Sequence, residues 1–454
     1  MKVLLIRPKS ANMITQMGVI DLEPLELEYL YTVTKEEGFA CTIHDDLLQP
    51  RDLTEVLKET APQMVAISGY ITQEKIMLSV AQQVKQFDSS IFIVVGGVHA
   101  EVNYQRFYSA AVDTILHTSS LKPYRQLLHL VHAGNFGPEQ LQPIDGICYK
   151  REGNWIVTRK VMIDPDELPI PDRSHFNQNK HLYRYLSYSP CAIVKTAFSC
   201  PHQCNFCYCR MINQGHYVIR DVELVVQEIA GIECENIHII DDSFLLDRER
   251  VLRFVELIKS WGIKKNFIFY SRSDFVVKNE DVIGLLAEIG TKGIIVGLEA
   301  LDDGTLGSYG KQVTGDMNEE CVEILARHNI DCLALFIIGL DARKGDFENL
   351  YRWIKRAGLK YASVSIFTPI PGTDIYDQYE SRLTSDNIED WDFLHLVLEP
   401  ANMTKQAFYY YYYRLFLQLS ALGKQHGVYD FVDMNFIRRS ARSFFHRLTF
   451  QDRG

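Results

Sequence analysis

Along the first part of the chain, apolar and polar positions switch between two periods. The short runs KVLLI (2–6), CTIHD (41–45), MVAIS (64–68), IFIVV (91–95) and DTILH (113–117) are apolar enough to be strands buried on both faces. Between them, stretches such as LELEYLYTVTKEEG and KIMLSVAQQVKQF carry the spacing of amphipathic helices. Strands alternating with helices predict a parallel sheet covered on both sides. The five units read as a doubly wound, flavodoxin-like α/β domain over residues 1–140, with its ligand beyond the carboxyl ends of the strands.

The pattern then breaks. IDGICYKREGNWIVTRK (144–160) predicts a hairpin turning at Glu152 and Gly153, and DELPIPDRSHF (166–176), with Pro169 and Pro171, predicts an extended irregular passage. Residues 141–185 are therefore a linker. A second strand–helix series follows. Its strands are CAIVKTAF (191–198), NIHIID (236–241), NFIFYS (266–271), GIIVGLE (293–299), CLALFIIG (332–339) and YASVSIFT (361–368). Six β/α units predict a partial (β/α)6 barrel over residues 186–373, with chemistry at the carboxyl ends of its strands. Residues 374–454 read as a mostly helical C-terminal region, and the tyrosine run 409–413 as a helix packed on the barrel.

Composition changes this picture little, charge somewhat more. The chain has 454 residues, 47% hydrophobic and 23% charged, with a formal net charge of −11. That balance argues against a nucleic-acid surface. The opening apolar run is too short for a signal peptide, and no run is long enough to span a bilayer. A cytoplasmic protein is expected, whose clustered cysteines point to metal rather than disulfides.

Those cysteines lie in AFSCPHQCNFCYCR (197–210), just after the first strand of the second series. Cys200, Cys204 and Cys207 are spaced C-x3-C-x2-C. No second CxxC or HxxxH pair follows to complete a zinc site. A four-iron cluster takes four ligands, so three thiolates leave one iron open, where chemistry can happen.

With Phe206 before the third cysteine, this loop resembles the signature of the radical S-adenosylmethionine (radical SAM) superfamily. The resemblance implies a [4Fe-4S] cluster on Cys200, Cys204 and Cys207. Its open iron chelates the amino and carboxylate groups of SAM, and an electron then cleaves SAM to a 5′-deoxyadenosyl radical. Cys209 stands outside the pattern and is read as a bystander thiol. In IIDDSF (239–244), Asp241 and Asp242 fill the place of the motif that binds the SAM amino group, one of them also able to cap the next helix. Arg272, in YSRSD, is placed to pair with the SAM carboxylate. Glu299 ends the strand that resembles the family's GxE segment. FIIGL (336–340) and FTPIPGT (367–373) would shape the adenosine pocket.

VVGGVHAE (94–101) then acquires a meaning it lacks alone. Placed after a doubly wound sheet and before this signature, it resembles the cobalamin-binding arm of the B12-binding radical SAM class. That resemblance implies corrinoid contacts at Ser68, Gly69, Gly96, Gly97 and His99. Two departures stand out. HTSS (117–120) replaces an acidic turn frequent in that class, and no D-x-H-x-x-G supplies a cobalt-binding histidine.

The class implies an enzyme with three cofactors, a [4Fe-4S] cluster, SAM and cobalamin. It acts on a small molecule, takes electrons from a flavodoxin- or ferredoxin-type donor, and binds neither nucleic acid nor membrane. A methyltransferase acting on an unactivated carbon is the leading expectation. Beside it stand a radical rearrangement or cyclisation without net methylation and, from another class, a non-catalytic iron–sulfur carrier.

Overall fold

The computed structural model describes residues 1–9 and 19–428. The first sheet is built from β1 (Lys2–Arg7), β3 (Ala40–Asp45), β4 (Met64–Ser68), β5 (Phe92–Gly96) and β6 (Thr114–Leu116), a short β2 (Ile20–Asp21) lying apart from it. The order is β3-β1-β4-β5-β6, all parallel, the 2-1-3-4-5 order of a flavodoxin-like sheet. Its chain reversal falls between β1 and β4, which opens a crevice at Arg7 and Ser68. Apolar residues on both faces account for this arrangement. Leu4, Ile6, Val65 and Ile93 pack on one side, and Val3, Leu5, Met64 and Val94 on the other, each at most 2% exposed.

The predicted hairpin is β7 (Ile147–Arg151) and β8 (Asn154–Val157). It turns at Glu152 and Gly153, both at positive φ (51° and 81°), as a tight two-residue turn requires. The pair adds antiparallel to the edge of the first sheet through β6.

Next come β9 (Arg184–Tyr185), which pairs with β2, then β10 (Cys191–Val194), β11 (Ala197–Phe198) and β12 (Val218–Ile219). The remaining strands are β13 (Asn236–Ile239), β14 (Asn266–Ser271), β15 (Thr291–Glu299), β16 (Asp331–Ile338) and β17 (Tyr361–Ile366). Strands β10-β13-β14-β15-β16-β17 form one consecutive parallel sheet, the six-stranded partial barrel.

Two expectations need correction. The run CAIVKTAF is not one strand. It breaks after Val194 because the Thr196 and Ala197 N–H groups turn to the Asp241 carboxylate, and Ala197–Phe198 then pairs antiparallel with β12. The C-terminal region is less helical than predicted. One long helix, Lys405–Gln425, is preceded by single turns wrapped around buried Trp391, whose indole donates to the Pro369 carbonyl. Residues 429–454, also called helical, lie outside the described residues. The tyrosine run does pack on the barrel. Tyr409 and Tyr412 are buried, and the Tyr412 hydroxyl donates to Val364 of β17, whereas Tyr410 faces outward.

The two sheets are locked by buried charge. Arg173, at the end of the Pro-rich passage, donates to Glu23 of the first domain and to Glu228 behind the barrel, each at 2.7 Å. Arg220 binds the other Glu228 oxygen. Such a network costs desolvation but tolerates few alternative docking geometries.

Candidate functional site

The cysteine loop leaves β11 and lies across the carboxyl end of the barrel. It is seated on the loop after β15. The Asn205 N–H donates to the Tyr309 carbonyl at 3.1 Å, and the Asn205 side chain donates to Ser308 at 2.8 Å. Gly310, at φ +68°, allows the approach, since a Cβ there would stand 2.8 Å from the Gln203 carbonyl. Phe206 packs edge-on against Tyr309 (5.3 Å), which stacks on Phe367. The signature aromatic thus braces the loop.

The thiols of Cys200, Cys204 and Cys207 are half-buried. Among the described residues no three His, Cys, Asp or Glu side chains converge as ligands of a single ion would. A four-iron cube holds its thiolates on separate corners, so wider spacing suits it. Burial pushes Cys200 up to about 11 and raises Cys204, the latter opposed by Lys311 and Arg272. Cys207 is lowered, first by a hydrogen bond from Cys209. Arg272 reaches Cys204 Sγ at 3.8 Å and is steadied by Asp274. The donor set, three accessible thiols beside fixed cations, fits an anionic iron–sulfur cluster.

The carboxylates sort themselves by burial. Asp241 is fully buried and accepts from the Thr196 N–H, the Thr196 hydroxyl and the Ala197 N–H. It ties the ends of β10 and β13, contrary to its expected SAM contact. Asp242 differs, because its Oδ2 is buried with no hydrogen-bond partner. Lys195 lies 3.7 Å from that oxygen, too far for a hydrogen bond. The Asp242 carboxylate neighbours the Cys209 thiol and Lys195, and its Oδ2 still has room to accept from an ammonium group such as that of SAM.

Glu299 sits at φ +59°, a left-handed conformation unusual for a side chain of its size. Its Oε1 meets Lys311 Nζ at 2.8 Å, and Lys311 also donates to the Gly297 carbonyl. A Cβ at Gly297 would fall 2.2 Å from Glu299 Oε1 and 2.8 Å from Lys311 Nζ, so a side chain there would push this pair aside. Backbone strain beside a buried ion pair at a strand end is the mark of a binding position.

In the first domain, Ser68, Gly69, Gly96 and Gly97 do come together where β4 and β5 end. Gly97 has φ +99°, and its Cβ would meet Ser68 Oγ at 2.8 Å and the Gly69 backbone at 3.0 Å. The protein's own strands therefore demand this glycine. Gly96 is different, its Cβ touching only Leu116 at an ordinary 3.6 Å. His99 is not free for a ligand, because its Nε2 binds Glu74 at 2.7 Å, where Arg106 also pairs.

Above this bare backbone the Tyr70 ring is 54% exposed. Yet the neighbouring Glu26 and burial raise its phenol pKa, and Tyr270 of the barrel is among its electrostatic neighbours. Tyr70 thus stands between Glu26 of the first domain and Tyr270 of the barrel. Glu26 is itself raised by burial and bonded to Ser68. A shelf of backbone bare of side chains at the ends of β4 and β5 fits a flat ligand such as a corrin ring. Lys195, Lys311, Glu26 and Tyr70 were missed by sequence reasoning. Lys311 lies twelve residues after Glu299, and nothing in the spacing assigns it a partner.

Comparison with known proteins follows the same division. The radical SAM superfamily model matches residues 194–354 and the B12 binding domain model residues 19–120. An uncharacterized methyltransferase of Pyrococcus horikoshii is 25% identical, over 83% of each chain. Hopanoid C-3 methylase of Methylococcus capsulatus is 25% identical over 90% of this chain and 78% of its own. Anaerobic magnesium-protoporphyrin IX monomethyl ester cyclase of Rubrivivax gelatinosus is 24% identical over 84% of this chain and 71% of its own. The structure of the cobalamin-dependent SAM radical enzyme OxsB, with aqua-cobalamin and SAM bound, superposes with a TM-score of 0.75. It covers 99% of this chain and 71% of that one at 14% identity, a likeness of fold.

Proposed function

Because the chain belongs to the radical SAM superfamily and carries a B12-binding domain, we propose that it methylates an unactivated carbon of a small biosynthetic molecule. The observation that carries the reading is a run of neighbouring side chains that leads from the first domain to the cysteine loop. Tyr70 stands beside Glu26 and Tyr270, and Tyr270 beside Asp242 and Cys209. When bound, the cluster with SAM supplies a hydrogen-abstracting radical and the corrinoid supplies the methyl group.

The chain's own residues do the rest. Cys200, Cys204 and Cys207 would hold the cluster and Arg272 would balance its charge. Asp242 would accept from the SAM amino group, and the Glu299–Lys311 pair would orient the remainder of SAM. Tyr208 neighbours Tyr70 and Cys209, and with Tyr270 these rings would exclude water from a radical and protect it from side reactions. Below them the barrel interior is apolar and phenolic, with Ile268, Ile295, Leu333, Tyr185 and Tyr361. Relatives named for hopanoid and porphyrin substrates support a lipophilic ring compound in that setting.

Among the described residues no helix is long and apolar enough to cross a membrane. A cytoplasmic enzyme fed by a flavodoxin- or ferredoxin-type donor accords with that. The cyclase relative favours a second reading, radical ring closure without methyl transfer. SAM labelled in its methyl group separates the two. Label in the organic product supports methylation, and a product without label supports cyclisation.

A further inference from the structure

The helix Val98–Asn103 starts at Gly97, where the shelf ends, and runs to the mouth of the barrel. Its Glu101 is 4% exposed and joins three distant segments. The carboxylate accepts from the Asn213 backbone N–H at 2.7 Å, pairs with Lys160 at 2.9 Å, and accepts from the Ser119 hydroxyl in HTSS. Asn213 belongs to the loop that continues from Cys207.

There Asn213, Gln214 and Gly215 have φ of 54°, 53° and 77°. Three successive left-handed residues persist only where their surroundings hold them. A concave run of N–H groups is a seat for an anion, and the Glu101 carboxylate sits at its first N–H. The Asn213 side chain is fixed as well, accepting from the Ile163 N–H and donating to the His216 carbonyl. The same helix grips the opposite rim of the barrel. Asn103 donates to the Pro371 carbonyl at 3.0 Å, and Gly372, at φ +92°, leaves room for Val102.

We propose that Glu101 is a positioning residue that couples the corrinoid shelf to the cysteine loop, so that filling the first domain stiffens the loop carrying the cluster. The proposal rests on the two-cofactor reading above. Coupling of this kind is reciprocal, since whatever steadies one site through Glu101 steadies the other.

The test follows iron loss to a chelator from reconstituted protein, in the dark and without SAM, with and without hydroxocobalamin. Iron and corrinoid content are measured first. Wild-type protein should release iron about tenfold more slowly when loaded with corrinoid, the scale set by one buried hydrogen bond. Glu101→Ala should lose that difference while starting with the same iron. Glu101→Gln, which keeps an oxygen for the Asn213 N–H and guards against misfolding of the Ala variant, should retain most of it. Wild-type protein that holds no corrinoid would defeat the functional reading and this proposal together. Corrinoid-dependent protection that survives in Glu101→Ala, or that fails equally in Glu101→Gln, would overturn the proposal alone.

Discussion

Glu299→Gln separates two roles that the structure gives to one carboxylate. The Glu299 and Lys311 side chains are 11% and 4% exposed and meet at 2.8 Å. At an effective dielectric constant of about 20, that distance corresponds to roughly 6 kcal/mol of gross attraction. Desolvation offsets much of it, but removing one partner leaves Lys311 buried and uncompensated, a loss of about 3 kcal/mol. For a unit the size of the barrel this lowers Tm by about 6–12 °C. Glu299→Gln combined with Lys311→Met removes both charges and should return Tm to within about 2 °C of wild type. SAM affinity should not return with it. Both variants should keep full iron but bind SAM about tenfold more weakly, the scale of one lost charged hydrogen bond. The assay pairs anaerobic thermal melts with equilibrium dialysis of SAM. A Glu299→Gln melt unchanged from wild type would refute the buried-pair argument. Wild-type SAM affinity in the double variant would show the carboxylate to be structural only.

Replacing Cys200, Cys204 and Cys207 together by Ala should abolish bound iron, whereas Cys209→Ala should keep it; iron analysis and the absorbance spectrum decide, and loss from Cys209→Ala alone would mean a fourth ligand. Gly96→Ala meets no protein atom closer than 3.6 Å, so it should leave Tm unchanged and lower corrinoid retention, whereas Gly97→Ala should destabilise the first domain with or without corrinoid. Equal retention by Gly96→Ala and wild type would argue against the shelf. His238 is fully buried between Tyr185 and Tyr270, with both ring nitrogens unpaired, and burial lowers its pKa from 6.5 to about 3. The unfolded imidazole takes up a proton below 6.5 and the folded one does not, so its contribution to stability is whole above 6.5 and falls by about 1.4 kcal/mol per pH unit towards 3. His238→Phe should raise Tm at pH 7 and flatten the acid limb of the Tm–pH curve; an unchanged slope would contradict this.

The sheets were legible in the sequence because strands such as MVAIS and IFIVV are apolar on both faces, which only a covered parallel sheet accommodates. The cysteine loop was legible through local spacing. What the sequence hid depends on pairing across distance. Asp241 and Asp242 are adjacent and chemically identical, and only the turn of Thr196 and Ala197 decides which is saturated. Lys311 becomes a partner of Glu299 only when the loop after β15 folds back on the strand end. His99 looked available until Glu74, on a different helix, came beside it. Gly97 was rightly singled out, but the atoms that require it are Ser68 and Gly69 of the protein.

The central claim is that one chain holds both a three-cysteine iron–sulfur cluster and a corrinoid. Anaerobic reconstitution with iron, sulfide and hydroxocobalamin, then desalting and metal analysis, tests it most directly. Iron and cobalt should both remain with the protein, the iron lost in the triple cysteine variant and the cobalt kept. Wild-type protein that emerges with iron but no cobalt would contradict the claim and leave an enzyme working through SAM and the cluster alone.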